Sequence, residues 1–196
     1  MYTIVLAGGL GKRMNSDIPK VLHKVNDIPM ICHVIREAFK LHATKILVVV
    51  GKYKTKINTA IQQFLTKGEY KKIVYVMQEE QIVNGSPKTM GTGDAIRCCI
   101  PKLTELRRTG EEDVVILSGD VPLIKHTTIK LLMDAKNTLL TSIVRNPFGC
   151  GRIFLNDNNE IAKIVEEKDC DYEQQKCNHV NCGIYNLNID TIIDYI

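Results

Sequence analysis

No apolar run in this chain approaches the roughly 18 consecutive residues that a membrane helix needs, which excludes a spanning helix. The first such run, Tyr2 to Leu6, is too short for the core of a secretory signal and passes straight into glycines. Dense basic blocks with aromatic residues between them are also missing. Lys52, Lys54, Lys56, Lys71 and Lys72 alternate with polar and apolar residues, and acids interleave at Glu111, Glu112, Asp113, Glu166 and Glu167. The formal charge of +4 is therefore a mild bias toward anionic ligands, and no nucleic-acid partner is expected. Paired CxxC spacing is absent. The cysteines number seven, Cys98 and Cys99 are adjacent, and Cys170, Cys177, His179 and Cys182 lack the spacing of a structural zinc site. Reduced thiols and a soluble, cytoplasmic protein are the expectation. No internal repeat, low-complexity tract or linker divides the chain, so its 196 residues, 44% of them hydrophobic, read as one domain over 1–196.

What the chain does contain is a rhythm. Short runs rich in branched side chains recur at Thr3–Leu6, Lys45–Val50, Ile73–Met77, Val114–Leu117 and Leu139–Val144, each reading as a buried strand. Between them lie helical patterns at Pro29–Leu41, Lys54–Leu65, Thr92–Leu106 and Thr127–Ala135; in the first, Pro29 suits an opening turn and Asp27 a cap. Alternating strands and helices imply an α/β fold with a doubly wound, mostly parallel sheet. After Asn146 the rhythm changes. Arg152–Leu155, Ile161–Val165 and Val180–Asn186 read as strands with little helix between them, a small β-rich insertion on one side of the sheet. Gln81–Thr89 reads as an exposed loop.

The first strand runs into Ala7-Gly8-Gly9-Leu10-Gly11-Lys12-Arg13-Met14, followed by Pro19-Lys20-Val21-Leu22. Small residues after a strand let the backbone approach phosphate oxygens closely and aim N–H groups at them, and Arg13 and Lys20 add charge. A Rossmann fingerprint would need glycine at Met14 and an acid where Gly51 and Lys52 stand; a Walker loop would need glycine at Leu6 and a hydroxyl at Arg13. Neither fits. A second candidate is Leu117-Ser118-Gly119-Asp120-Val121-Pro122-Leu123, where an Asp ends a hydrophobic strand. The carboxyl ends of strands in open α/β sheets face the ligand crevice, so Asp120 is placed to hold Mg²⁺.

Leu6 to Met14 together with Pro19 to Leu22 resembles the signature of the nucleotide-sugar pyrophosphorylases. Gln78 and Gly91-Thr92-Gly93-Asp94-Ala95 resemble the base-reading segment of the bacterial N-acetylglucosamine-1-phosphate uridyltransferases in that family. Gly119 to Leu123 is similar to their metal-binding segment, and Asn146 to Arg152, Ile164 to Asp169 and Val180 to Ile184 to their sugar pocket. The resemblance implies a Rossmann-like nucleotide-diphospho-sugar transferase fold. It implies that Leu6, Ala7, Gly8 and Gly9 contact the nucleoside, that Gln78 and Gly91 read uracil, and that Thr92, Gly151, Glu166 and Asn181 hold the sugar. Arg13 and Lys20 would act on phosphates, with Mg²⁺ on Asp120.

The implied reaction is transfer of a uridylyl group from UTP to N-acetylglucosamine 1-phosphate. The alternatives are guanylyl, cytidylyl or thymidylyl transfer, or a non-catalytic regulatory subunit that binds a nucleotide sugar. Lys12, Ser118 and Cys182 depart from the family's usual residues, and the loop Glu79–Met90 is longer than expected. The family's second metal ligand, an asparagine, is expected beyond Ile196, and no acetyltransferase β-helix domain is expected. Whether the protein forms a homo-oligomer is left open.

Overall fold

The computed structural model describes residues 1–9, 11, 14–83, 86–88 and 91–196. Strand β1 (Tyr2–Leu6) leads through the glycine-rich loop to a 3-10 turn at Lys20–Leu22 and a short hairpin of β2 (Lys24–Val25) and β3 (Ile28–Pro29). Helix α1 (Met30–Lys40), β4 (Lys45–Val50), α2 (Lys54–Phe64), the single turn α3 (Lys67–Tyr70) and β5 (Ile73–Met77) follow. A hairpin of β6 (Gln81–Val83) and β7 (Ser86–Lys88) precedes α4 (Gly91–Arg97), α5 (Ile100–Arg107), β8 (Asp113–Ser118) and α6 (His126–Leu132). The last third consists of β9 (Thr138–Ile143), β10 (Arg152–Leu155), β11 (Ile161–Val165), α7 (Tyr172–Gln175), β12 (His179–Asn188) and α8 (Ile189–Tyr195).

The central sheet runs in the order β11-β10-β12-β8-β1-β4-β5, with β9 also paired to β12. Strands β8, β1, β4 and β5 are mutually parallel. Their side chains alternate between two apolar layers. Val5, Val48, Val50, Val115 and Leu117 pack with Ile31, Val34 and Ile35 of α1, Ile57 and Ile61 of α2 and Ile129 of α6. Ile4, Leu47, Val49, Val114 and Ile116 pack with Ala95 and Ile96 of α4, Leu103 of α5 and Ile189 and Ile192 of α8. This doubly wound α/β arrangement explains the nearly continuous branched runs, since strands covered on both faces have no solvent side. Each fully buried Val, Leu or Ile contributes roughly 1.5–3 kcal/mol.

Three expectations are corrected. The helix expected over Thr92–Leu106 is two helices, α4 and α5, parted at Cys98-Cys99, with Pro101 in the first turn of α5. Proline has no N–H and its ring meets the carbonyl four residues back, so the helix restarts there. Gln81–Thr89, expected as a loop, contains the paired strands β6 and β7. Asp27 caps nothing. It and Asn26 both have positive φ (62° and 50°), the conformation of a two-residue hairpin turn between β2 and β3, and Pro29 precedes α1 rather than opening it.

The β-rich segment after Asn146 continues the main sheet through β12, which pairs antiparallel with β8, β9 and β10. A register shift between Asn181 and Tyr185, with Gly183 at φ 68°, bends the strand so that its first half pairs with β10 and its second with β8, while β9 pairs with both.

An acid-sensitive tie crosses one helical layer. Glu37 of α1 is 7% exposed. Its Oε1 accepts from Lys40 Nζ at 2.6 Å, its Oε2 accepts from the backbone N–H of His126 at 2.7 Å, and His126 Nδ1 lies 2.9 Å from Oε2. Burial alone would raise this carboxyl; the hydrogen bonds from Lys40 and His126 outweigh it and bring the pKa from 4.5 to about 2. The folded state thus holds the proton less tightly than the unfolded chain. The resulting stability is fully present above the unfolded value and is lost as pH falls toward 2, on the order of 2–3 kcal/mol in all. Glu37→Gln is expected to lower the unfolding free energy in urea by about 1–3 kcal/mol at neutral pH. It should also make the decline in stability between about pH 5 and 2 shallower; a decline identical to wild type would contradict the assignment.

Candidate active site

Two adjacent parallel strands, β1 and β8, end side by side, and their connections leave to opposite sides, β1 toward β4 and β8 toward β12. A crevice opens outside the carboxyl ends of strands at such a point. The sheet ladder of β1 ends where Ala7 N donates to Val49 O at 2.8 Å. The chain then turns out at Gly8 and Gly9. Gly119, just past β8, donates its N–H to Leu6 O at 2.9 Å, and a Cβ on Gly119 would stand 2.8 Å from that same oxygen. Only glycine permits this approach of the two strand ends.

A cavity of about 220 Å³ occupies the crevice, lined by Leu6, Ala7, Gly8 and Gly9 at the end of β1, by Lys20 and Val21, by Gln78, Gly91 and Thr92, and by Ser118 and Asp120. Residues expected separately from four segments therefore meet in one place. Arg13 lies outside the described residues. Lys20 stands in the 3-10 turn, anchored by buried Val21, and Gly11 at φ 60° passes so close that a Cβ there would lie 3.0 Å from Lys20 Cβ.

The charged centre is a three-residue group. Lys20 Nζ lies 2.6 Å from Asp120 Oδ2, and Ser118 Oγ donates to Asp120 Oδ1 at 2.6 Å. Burial pushes the Asp120 carboxyl up, but the Lys20 ammonium and the Ser118 hydroxyl together hold it below the usual carboxylate range. Asp120 is therefore an anion at neutral pH, with one oxygen oriented by a neutral donor and the other meeting a cation. Ser118, a departure from the family's usual residue, was not expected to take part. The Ser-x-Asp spacing was the available signal.

Gln78, also on the cavity wall and 3% exposed, donates Nε2 to Gly91 O at 3.1 Å and to Asp94 Oδ2 at 2.9 Å. Thr92 lines the cavity beside these base-reading candidates.

The other three sugar candidates gather one strand over. Arg152 pairs in register with Val165 of β11 and Val180 of β12, so Gly151, Glu166 and Asn181 are the next residues outward on three neighbouring strands. Asn181 N donates to Gly151 O at 2.9 Å, and a Cβ on Gly151 would lie 3.3 Å from Glu166 Oε1. Asn181 is itself fixed, its amide donating to Tyr185 OH at 2.7 Å and accepting from Gly183 N at 2.9 Å. Because β12 runs antiparallel to β8, this end of β12 lies at the same edge of the sheet as Asp120.

Arg152, quoted in the sequence only as the end of a segment resembling the sugar pocket, holds the turn beneath. It is 1% exposed, donates to Glu167 Oε2 at 2.7 Å and to Cys150 O, and Glu167 also accepts from Gly149 N at 2.9 Å. A buried guanidinium paired this way fixes the shape of the Gly149–Gly151 turn.

Among the described residues no group of three or more His, Cys, Asp or Glu side chains could enclose a metal. Asp120 nonetheless offers a hard oxygen donor on the cavity wall, the kind of ligand a divalent cation takes together with substrate phosphates and water.

The profile of the MobA-like NTP transferase domain matches residues 3–152. The chain is 45% identical over 194 residues to a protein of Acanthamoeba polyphaga mimivirus named "Probable UDP-N-acetylglucosamine pyrophosphorylase", covering 96% of this chain and 70% of that one. It is 39% identical over 197 residues to the "Bifunctional protein GlmU" of Clostridium botulinum (strain Eklund 17B / Type B), covering 97% of this chain and 39% of that protein's length. Among solved structures, a UDP-glucose pyrophosphorylase complexed with UDP-glucose shares the fold with a TM-score of 0.66 at 20% identity, covering 98% of this chain and 77% of that one.

Proposed function

The chain belongs to the family of MobA-like NTP transferase domains, and from that premise we propose that it transfers the uridylyl group of UTP to N-acetylglucosamine 1-phosphate, releasing pyrophosphate. The observation that carries this reading is the Lys20–Asp120 pair, 2.6 Å apart on the wall of a glycine-lined cavity that Gln78 also lines.

The sugar phosphate is already ionised near neutral pH, so the reaction needs no general base. Its oxygen attacks the α-phosphorus of UTP in line with the departing pyrophosphate, and the protein's task is alignment and charge neutralisation. Gly8 and Gly9 let the backbone come close to the nucleotide. Lys20 neutralises the α-phosphate as charge builds there, and Arg13 is assigned to the pyrophosphate. Asp120 would hold Mg²⁺: its donor is a hard oxygen, and one cationic group already approaches Oδ2. When bound, the ion lowers the repulsion between the triphosphate and the incoming phosphate. Gly151, Glu166 and Asn181 are assigned to the sugar, where a carboxylate and an amide accept from and donate to hydroxyl and acetamido groups. Thr92 is assigned to the sugar as well, from its place on the cavity wall.

The cysteines are free thiols, which fits a reducing compartment, and we infer a cytoplasmic site of action. The test is a panel of UTP, CTP, GTP, ATP and dTTP against N-acetylglucosamine 1-phosphate and glucose 1-phosphate with Mg²⁺, read by pyrophosphate release. UTP with N-acetylglucosamine 1-phosphate should give the highest kcat/KM. Binding of UDP-N-acetylglucosamine with no Mg²⁺-dependent release for any pair would instead identify a regulatory subunit.

A further inference from the structure

Gln78 has two chemically opposite ends, and the structure decides which of them the cavity meets. The NH2 end is committed: Nε2 donates to Gly91 O and to Asp94 Oδ2. Both partners are acceptors with no proton to give. Turning the amide over would set Oε1 against a carbonyl and a carboxylate in a place only 3% exposed, where repulsion is weakly screened. Oε1 therefore faces the other way, toward Gly8, where a Cβ would lie 2.7 Å from it. Among the described residues no protein donor reaches Oε1, and Gln78 lines the cavity together with Gly8, Gly91 and Thr92.

Asp94 is in turn held in place. Its Oδ1 lies 2.5 Å from Arg97 NH2 one turn along α4, and its side chain is 11% exposed. The hydrogen bond from Gln78, and then that from Arg97, keep its carboxyl below the usual range, so it stays an acceptor across the neutral range. Gly91 O alone would hold the amide with one neutral hydrogen bond; Asp94 adds a charge-assisted one, about twice as strong.

We propose that Asp94 is a positioning residue for base selection: it locks the Gln78 amide with its carbonyl toward the base, so that the cavity accepts a ring N–H and takes uracil in preference to cytosine. Uracil carries a proton on the ring nitrogen between its two carbonyls, and that proton meets Oε1. The matching nitrogen of cytosine carries a lone pair, which would face the lone pairs of Oε1. Sites built around a buried hydrogen-bonding group discriminate strongly against a partner that leaves the group unpaired. The inference rests on the reading that the nucleotide base lies against Gln78.

The test compares UTP with CTP in kcat/KM, and UDP with CDP in equilibrium binding by calorimetry, for wild type, Asp94→Ala and Asp94→Asn. Asp94→Ala is expected to reduce the uracil-over-cytosine ratio by about tenfold, mainly through KM for UTP. Asp94→Asn keeps the side-chain volume but offers a donor as well as an acceptor, and is expected to reduce the ratio by a smaller factor. A purely structural role would weaken both nucleotides equally; a ratio within twofold of wild type in folded Asp94→Ala and Asp94→Asn would overturn the proposal and leave the uridylyl reading intact. A wild type that binds UDP and CDP equally would overturn both.

Discussion

Lys20→Ala is expected to lower kcat/KM for UTP and N-acetylglucosamine 1-phosphate by about 10²–10³-fold, with most of the loss in kcat. The Lys20 side chain is 44% exposed and lines the cavity, where its ammonium can meet charge as it develops on the α-phosphate. A group that neutralises charge appearing only in the transition state affects the chemical step more than substrate binding. Folding should be little changed, because a partly exposed ion pair is worth only about 0–1 kcal/mol. Wild-type-like unfolding in urea together with the kinetic loss separates catalysis from stability. A rate within a few-fold of wild type would remove Lys20 from the phosphate site.

Asp120→Asn is expected to have a loss of similar size, by another route. Asparagine keeps the shape and can still accept from Ser118, but it removes the charge that would hold the cation. Activity should fall by about 10²–10⁴-fold and recover in part as Mg²⁺ is raised, because the ion can still arrive with the triphosphate. The readout is the Mg²⁺ dependence of the initial rate, alongside direct Mn²⁺ binding. An unchanged half-saturating Mg²⁺ concentration would place the cation elsewhere. Lys20→Ala is expected to behave oppositely in the binding measurement: Lys20 Nζ competes for Asp120 Oδ2, so its removal should tighten Mn²⁺ binding in the absence of nucleotide.

The core of the fold was legible because its strands are buried on both faces. Runs such as Lys45–Val50 have no polar side to confuse the period, and the structure returns β4 with those bounds. What escaped was local chemistry in short elements. Asn26-Asp27 forms the turn between two-residue strands, too brief for any alternation to show. Gly183 lies inside the expected strand Val180–Asn186, and its positive φ of 68° is the bend within β12, which runs from His179 to Asn188. Pro101, which the reading of one helix over Thr92–Leu106 passed over, sits in the first turn of α5 and marks where the second helix starts.

The site divides in the same way. Leu6 to Gly9, Lys20, Gln78, Gly91, Thr92 and Asp120 were expected from the resemblance to the nucleotide-sugar pyrophosphorylases, and the fold brings them to one cavity. Asp94, Ser118 and Arg152 act through partners, and partner identity over gaps such as Gln78 to Asp94 is set by how β5 and α4 meet. Periodicity carries no trace of that. The Glu37–His126 tie, between α1 and α6, escaped for the same reason.

The central claim is that the sugar phosphate attacks the α-phosphorus of UTP. The most direct measurement uses N-acetylglucosamine 1-phosphate labelled with ¹⁸O in its non-bridging phosphate oxygens, with both products read by mass spectrometry. All of the label is expected in UDP-N-acetylglucosamine, including the oxygen that bridges the two phosphorus atoms, and the pyrophosphate is expected to be unlabelled. Label in the pyrophosphate, or absence of UDP-N-acetylglucosamine when pyrophosphate is released, would contradict it.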